Sequence, residues 1–199
     1  MPVSDRTSAI GGWLFRHRTA LPLPIVALLL GVPGATTGAS ASLAWLGPVL
    51  VLTGEALRAW GVHHIGSVSR TRSDRLGPLI DSGPFAYVRN PLYIGNVLLW
   101  LGFAFSARLA WLAPLVWVLL ALEYHAIVRW EETLLADRMG APYLDYLTRV
   151  PRWWPRLSTR APHGDAARNW KATVYSERGT LIAIVVGYAL LALKRALLG

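Results

Sequence analysis

The sequence predicts an all-α, polytopic membrane helix bundle of about five transmembrane helices, and three observations predict it. Hydrophobic residues make up 54% of the 199 and charged residues only 16%, too apolar for an ordinary soluble domain of this length. No Asp, Glu, Lys or Arg occurs between Arg18 and Glu55, a run long enough for two crossings at roughly 20 residues each. Further apolar stretches follow, separated by short turns or arginine-bearing segments. The chain reads as a single membrane domain, 1–199, with an N-terminal helical hairpin at 19–62, a core at 63–155 and a C-terminal span at 179–198.

The first span covers about 19–36 and is broken by Pro33-Gly34 and Gly38; the second covers about 42–62, where Glu55 and Arg58 enter. Arg16, His17 and Arg18 precede the first in the manner of a secretory signal. A second apolar span follows directly with no clear small-residue cleavage pattern, so the stretch is read as a span. Residues 63–89 are polar, carry Arg70, Arg72, Arg75 and Arg89, and contain the turn signal Asp81-Ser82-Gly83-Pro84. The third span, about 91–106, and the fourth, about 109–130, are joined only by Ser106, Ala107 and Arg108, which makes them antiparallel neighbours. From Arg129 to Arg178 lie nine of the twenty basic residues, punctuated by Pro142, Pro151, Pro155 and Pro162. That pattern predicts a short amphipathic helix and then an interfacial loop, with Trp153, Trp154 and Trp170 at headgroup level. The apolar stretch from Gly179 to Leu193, ending in Lys194 and Arg195, is the fifth span.

Basic residues set the orientation: the N-terminal arm, 63–89 and 129–178 are arginine-rich, whereas the turns at 34–42 and 106–108 hold only Arg108. The three basic segments are expected in the cytoplasm, with Lys194 and Arg195 mildly discordant. A formal net charge of +9 raises the question of nucleic acid, but these arginines flank apolar spans instead of forming a basic stripe on a soluble scaffold. Anionic lipid headgroups are the expected partner, and no obligatory protein partner is inferred. The absence of cysteine removes disulfides, thiolate metal sites and cysteine nucleophiles. The Ala, Leu and Arg content points to a bacterial origin and hence the inner membrane.

Two places carry chemistry. The stretch from Leu79 to Asn96 passes from a polar loop into the third span; Pro91 in the first helical turn, free backbone N–H groups and Arg89 beside them form a natural anion site, suited to a carboxylate. The alternative is that Arg89 and Tyr93 are interfacial anchors. Glu131 and Glu132 sit where the fourth span emerges on the same side as Arg89, and their side chains point about 100° apart, one to the bundle and one to water. The alternative is two solvated charges partnering Arg129 and Arg138. Elsewhere, Glu55 and Arg58 are one turn apart and suited to neutralise each other. Glu123 and His125 point to different faces and lack a third ligand, so no metal site is expected. His63 and His64 read as interfacial, with His64 near enough to the pocket to accept a proton.

The elements Gly83-Pro84-Phe85, Arg89-Asn90-Pro91-Leu92-Tyr93-Ile94-Gly95, Glu131-Glu132, Met139-Gly140, Tyr143, Tyr146 and Val150-Pro151 together resemble the isoprenylcysteine carboxyl methyltransferase and phospholipid methyltransferase superfamily. The resemblance covers roughly residues 63 to 155. It implies a membrane-embedded methyltransferase whose S-adenosylmethionine lies in a pocket formed by the last family spans and the cytoplasmic segment after them, and a lipid-like or lipophilic acceptor. By position, it places cofactor contacts on Gly77, Pro78, Leu79, Ile80 and Phe85, the last near the adenine. The arginine-histidine-proline-x-tyrosine element falls on Arg89, Asn90, Pro91, Leu92 and Tyr93, and the acidic contacts on Glu131 and Glu132. Arg89, Tyr93 and Glu131 are the candidate catalytic residues.

Two departures matter. Asn90 replaces the family's histidine, and an amide cannot carry a charge, so Asn90 is left with cofactor contact only. Ile127 stands where prenylcysteine-specific members have an arginine, which argues against a carboxylate-bearing prenylcysteine acceptor. A membrane reductase of the sterol-reductase type and a non-catalytic scaffold of the same fold stay open as rival readings.

Overall fold

A computed structural model describes residues 5–66, 79–156 and 169–198. The described residues form helices and turns: α1 (Asp5–His17), α2 (Leu23–Gly31), α3 (Gly38–Ser42), α4 (Leu46–Ile65), α5 (Pro91–Ser106), α6 (Ala113–Met139), α7 (Ala141–Arg149) and α8 (Trp170–Leu198). Among the described residues, three helical stretches are long and apolar enough to cross a membrane: Gly38–Ile65, Ala110–Met139 and Trp170–Leu197. Helix α5 is a shorter apolar pass. The all-α membrane bundle is therefore as expected, and with α2 the apolar passes number about five.

The first pass differs from its expected extent. Of 19–36, only the nine residues of α2 are α-helical. Pro22 and Pro24 open this helix and Val32-Pro33-Gly34 closes it. Nine residues rise about 14 Å, roughly half the hydrocarbon thickness. The proline at 33 has a second effect. The Leu29 carbonyl would take its hydrogen bond from the residue four positions on, and Pro33 has no N–H to give. Lys194 Nζ supplies the missing donor at 2.7 Å. The discordant lysine at the far end of α8 is thus a structural cap on α2.

Helices α4 and α5 run antiparallel and lie unusually close because glycines recur on both every seven residues. A Cβ added to Gly54 would stand 2.7 Å from the Gly95 carbonyl oxygen, and one added to Gly95 would stand 2.7 Å from that of Gly54. Gly47 and Gly102 repeat the reciprocal contact one heptad away. Small residues at a membrane interface let backbones approach, which replaces the hydrophobic driving force that lipid does not supply. Helix α6 contributes the inner face Val116, Leu120, Tyr124 and Ile127 at helical spacing; Val116, Leu120 and Ile127 are 0–1% exposed. Ile127, at the position of a prenylcysteine-type arginine, is a core residue.

Gly140, at φ +63°, ends α6 in the left-handed region that favours glycine and turns the chain into amphipathic α7. The apolar side of α7 packs Tyr143, Tyr146 and Val150 against Leu79, Leu135 and Met139. Helix α8 begins nine residues before the expected Gly179, and only 6% of its apolar window is buried inside the protein. What ties it in is polar. Arg58 on α4 donates to Glu177 through Nε at 3.1 Å and Nη2 at 2.7 Å, to Thr180 at 3.1 Å and to Asn96 at 2.5 Å. Glu55 lies 3.7 Å from Arg58, so the expected neighbour pair exists. The closer partner is Glu177, 119 residues away.

Candidate active site

The site candidates converge at the end of the bundle where α5 begins and α6 passes Glu131. Residues 85–90 reach it through a pinned loop. The Arg89 N–H donates to the Pro151 carbonyl at 2.9 Å, and the Arg156 N–H donates to that of Tyr87 at 3.0 Å. The Tyr146 hydroxyl holds the Phe85 carbonyl at 2.9 Å. Asn90 precedes α5, with Pro91 opening the helix, and its side-chain amide donates to the Arg152 carbonyl at 3.2 Å. Asn90 is thus engaged with the returning chain, a role that needs an amide and no charge.

The two glutamates take different partners. Tyr93 Oη donates to Glu131 Oε2 at 3.0 Å, and the Tyr93 ring lies 4.8 Å from that of Tyr124. Glu132 receives Arg89 Nη1 at 2.7 Å, Arg152 Nε at 3.0 Å and Arg152 Nη2 at 2.6 Å. The expected division into one inward and one watery carboxylate is replaced: neither is exposed, and Glu132 is clamped between two guanidiniums. Its partners are Arg89 and Arg152 instead of Arg129 and Arg138. The hydrogen bond from Arg152 to Glu132 raises the arginine's pKa further and keeps it charged.

Arg89 Nε is buried with no hydrogen-bond partner, as is Ser82 Oγ in the loop before it. Buried donors of this kind are rare and call for a partner, whether water, an ion or a ligand. Arg18, after α1, lies near enough to act attractively on Glu131. Helix α1 comes close because Gly11 and Gly12 face Trp130: a Cβ on Gly11 would stand 2.4 Å from the Ala126 carbonyl oxygen.

Among the remaining expected site residues, Leu79 packs on the Tyr143–Tyr146 cluster, Ile80 is half-buried and Leu92 lies against Gly61. Phe85 is buried, its ring 3.8 Å from a Cβ built on Gly61. Gly77 and Pro78 lie outside the described residues. Both histidines are buried within the protein. His63 stacks on Trp170 at 4.1 Å with Nδ1 3.1 Å from Thr173 Oγ1, and His64 Nδ1 lies 2.9 Å from the Trp60 carbonyl oxygen. Gly83, at φ +58°, passes so close to the His64 ring that a Cβ would stand 2.5 Å from it.

Arg152, Arg18 and Asn96 are site or near-site residues that the sequence did not single out. Arg152 lay among many interfacial arginines; its only signal was adjacency to Val150-Pro151. Asn96 was visible as a polar residue on an apolar helix, five residues past Pro91.

The phospholipid methyltransferase family model matches residues 43–141, from the turn before α4 to the start of α7. The chain is 29% identical over 163 residues to the nickel-cobalt-cadmium resistance protein NccN of Alcaligenes xylosoxydans xylosoxydans, covering 79% of this chain and 73% of that one. It is 40% identical over 81 residues to the cobalt-zinc-cadmium resistance protein CzcN of Cupriavidus metallidurans, covering 40% of this chain and 37% of that one. No solved structure matches. The matched segment, which carries Arg89, Tyr93, Glu131 and Glu132 on one helical scaffold, is a phospholipid methyltransferase family segment.

Proposed function

We propose that this integral membrane methyltransferase takes its methyl group from S-adenosylmethionine and passes it to a lipid-like acceptor. The observation that carries the reading is the pair of polar contacts Tyr93–Glu131 and Arg89–Glu132, side by side where α5 and α6 meet. S-adenosylmethionine, when bound, supplies a methyl group on a sulfonium centre. The residues present suit its charges. Glu131 offers a carboxylate to cationic groups, and the unpartnered Arg89 Nε offers a donor to a carboxylate.

Tyr93 orients Glu131, and Glu132 with Arg152 orients Arg89, so both charges are fixed before a ligand arrives. Transfer is an in-line displacement: the acceptor lone pair forms the new bond to carbon as the carbon–sulfur bond breaks. The protein's work is alignment and exclusion of water, for which a rigid helical site suffices. Phe85, Pro91 and Leu92 supply apolar wall, and Leu79 and Ile80 the loop edge. The acceptor reaches the site sideways from the bilayer. The arginine-rich segments support a site at the cytoplasmic face of a bacterial inner membrane. Asn90 and Ile127 make a prenylcysteine acceptor the poorer choice. The relatives' names suggest growth under cobalt or cadmium as the physiological setting for identifying the product.

The test incubates purified protein with radiolabelled S-adenosylmethionine and total membrane lipid. Label in a lipid fraction that is lost in Glu131→Ala is the expected result. Cofactor binding without labelled lipid overturns the lipid acceptor, and no binding at all overturns the methyl donor.

A further inference from the structure

The opposite end of the bundle carries a recess lined by three cations. Arg108, Lys194 and Arg195 line a cavity of about 30 Å³, with Gly34 and Ser106 in its wall. Lys194 is already committed to the Leu29 carbonyl. Arg108 is held by its backbone: its N–H donates to the Phe105 carbonyl at 2.9 Å, and its own carbonyl accepts from Ala35 at 3.2 Å. It is also the one non-glycine residue with positive φ among the described residues, at 57°. Such a conformation is costly for a branched or long side chain and persists where the surroundings impose it.

Arg108 Nε is buried and has no hydrogen-bond partner. The three segments that build this end, 31–46, 103–112 and 188–198, contain no Asp or Glu. Three cations around one recess without a carboxylate in its walls call for an external anion. The recess is small, with room for one or two oxygens, so a tetrahedral oxyanion would seat part of itself and leave the remainder at the mouth. Trp45 and Trp111, 66% and 60% exposed, stand at the same end of the spanning helices, as headgroup-level aromatics do.

We propose that this recess binds the phosphate group of a membrane phospholipid, on the face away from the Glu131 site. Arg108 and Arg195 provide the charge-assisted hydrogen bonds, and Lys194 adds charge while it caps α2. The shared chemistry is a phosphate oxyanion; its sources are a lipid headgroup or free phosphate, and the exposed tryptophans favour the lipid. The site is independent of methyl transfer.

Full-length protein in non-ionic detergent is titrated with phosphatidylglycerol, with diacylglycerol of the same chains and with inorganic phosphate, retained lipid being read by native mass spectrometry and phosphate binding by thermal shift. Phosphatidylglycerol is expected to bind, diacylglycerol to be lost, and Arg195→Gln and Arg108→Gly each to weaken phosphatidylglycerol about ten-fold. Arg195 is exposed, so its variant tests the site without disturbing the fold. Equal retention of diacylglycerol, or unchanged phosphatidylglycerol binding in both variants, overturns the proposal. Stabilisation by inorganic phosphate that Arg195→Gln abolishes, with no retained phosphatidylglycerol, overturns the lipid as source.

Discussion

The Tyr93 hydroxyl donates to Glu131 Oε2 at 3.0 Å, joining the first turn of α5 to the late turns of α6. Tyr93→Phe keeps the ring and its contact with Tyr124 but frees the carboxylate to rotate. With a charged acceptor, such a bond contributes about 1.5–3 kcal/mol, so S-adenosylmethionine affinity should fall at least about ten-fold. Glu131→Gln should fall further, because the charge itself is gone. A binding titration on both variants measures this; unchanged affinity in both would remove the pair from the cofactor site.

Glu132 has a different task, holding two guanidiniums. The Arg89 side chain is 13% exposed and that of Arg152 is 30% exposed, so removing the carboxylate strands the first more than the second. Glu132→Ala should cost about 2 kcal/mol of stability. The Arg149–Asp145 pair is the contrast: Asp145 is 57% exposed, and Asp145→Ala should cost under about 0.5 kcal/mol. Thermal unfolding in detergent compares the two, and equal losses would contradict the clamp.

Tyr143 and Tyr146 predict an alkaline limit. Burial, foremost, pushes both phenols up from their ordinary value, with Glu132 adding to Tyr143 and Tyr143 to Tyr146. A phenol raised in the folded state contributes its stability fully below the unfolded value near about 10, and loses it as pH climbs toward the folded value. Stability should be insensitive to these groups at neutral pH and drop above about pH 10. Tyr146→Phe should weaken that drop while costing about 1 kcal/mol at pH 7, since the Phe85 carbonyl loses its donor. Unfolding midpoints across pH would expose the opposite outcome.

Arg58 and Glu177 show what was legible in the sequence and what was not. Apolar runs announce spans, so α4 and α5 were readable to within four residues, whereas α6 runs nine residues past the expected end at 130 because its last turns are charged. Arg89, Tyr93 and Glu131 were singled out by their place at the mouths of two spans together with the family resemblance. Glu177 was not, because α8 was read from its apolar part and its polar first turns resembled loop. Local sequence suggested Glu55 as the partner of Arg58, while the fold brings in a residue from a distant helix. The first pass was misjudged for another reason: hydropathy is blind to the missing N–H of Pro22, Pro24 and Pro33, which shortens α2. Because Arg58 ties α8 to α4 through two hydrogen bonds to Glu177 and one to Thr180, Glu177→Leu should destabilise by about 3 kcal/mol, and Thr180→Val by about 1 kcal/mol. Protease cleavage within α8 is the readout, and equal sensitivity of the two variants would refute the anchor.

The glycine register of α4 and α5 makes the strictest demand on the fold. Gly54 and Gly95 each place the other's carbonyl oxygen 2.7 Å from where a Cβ would stand, and backbone cannot yield as a side chain can. Gly54→Leu or Gly95→Leu must therefore separate the helices, and with them Arg58 from Asn96, whose contact spans the same interface. The loss should exceed about 3 kcal/mol, at the severe end for single substitutions. Gly31→Leu is the control: nothing lies within 4 Å of its Cβ position, so the protein should fold and retain its stability to within about 0.5 kcal/mol. If Gly54→Leu and Gly31→Leu yield the same amount of folded protein from the membrane, close approach of α4 and α5 is not what holds the bundle together.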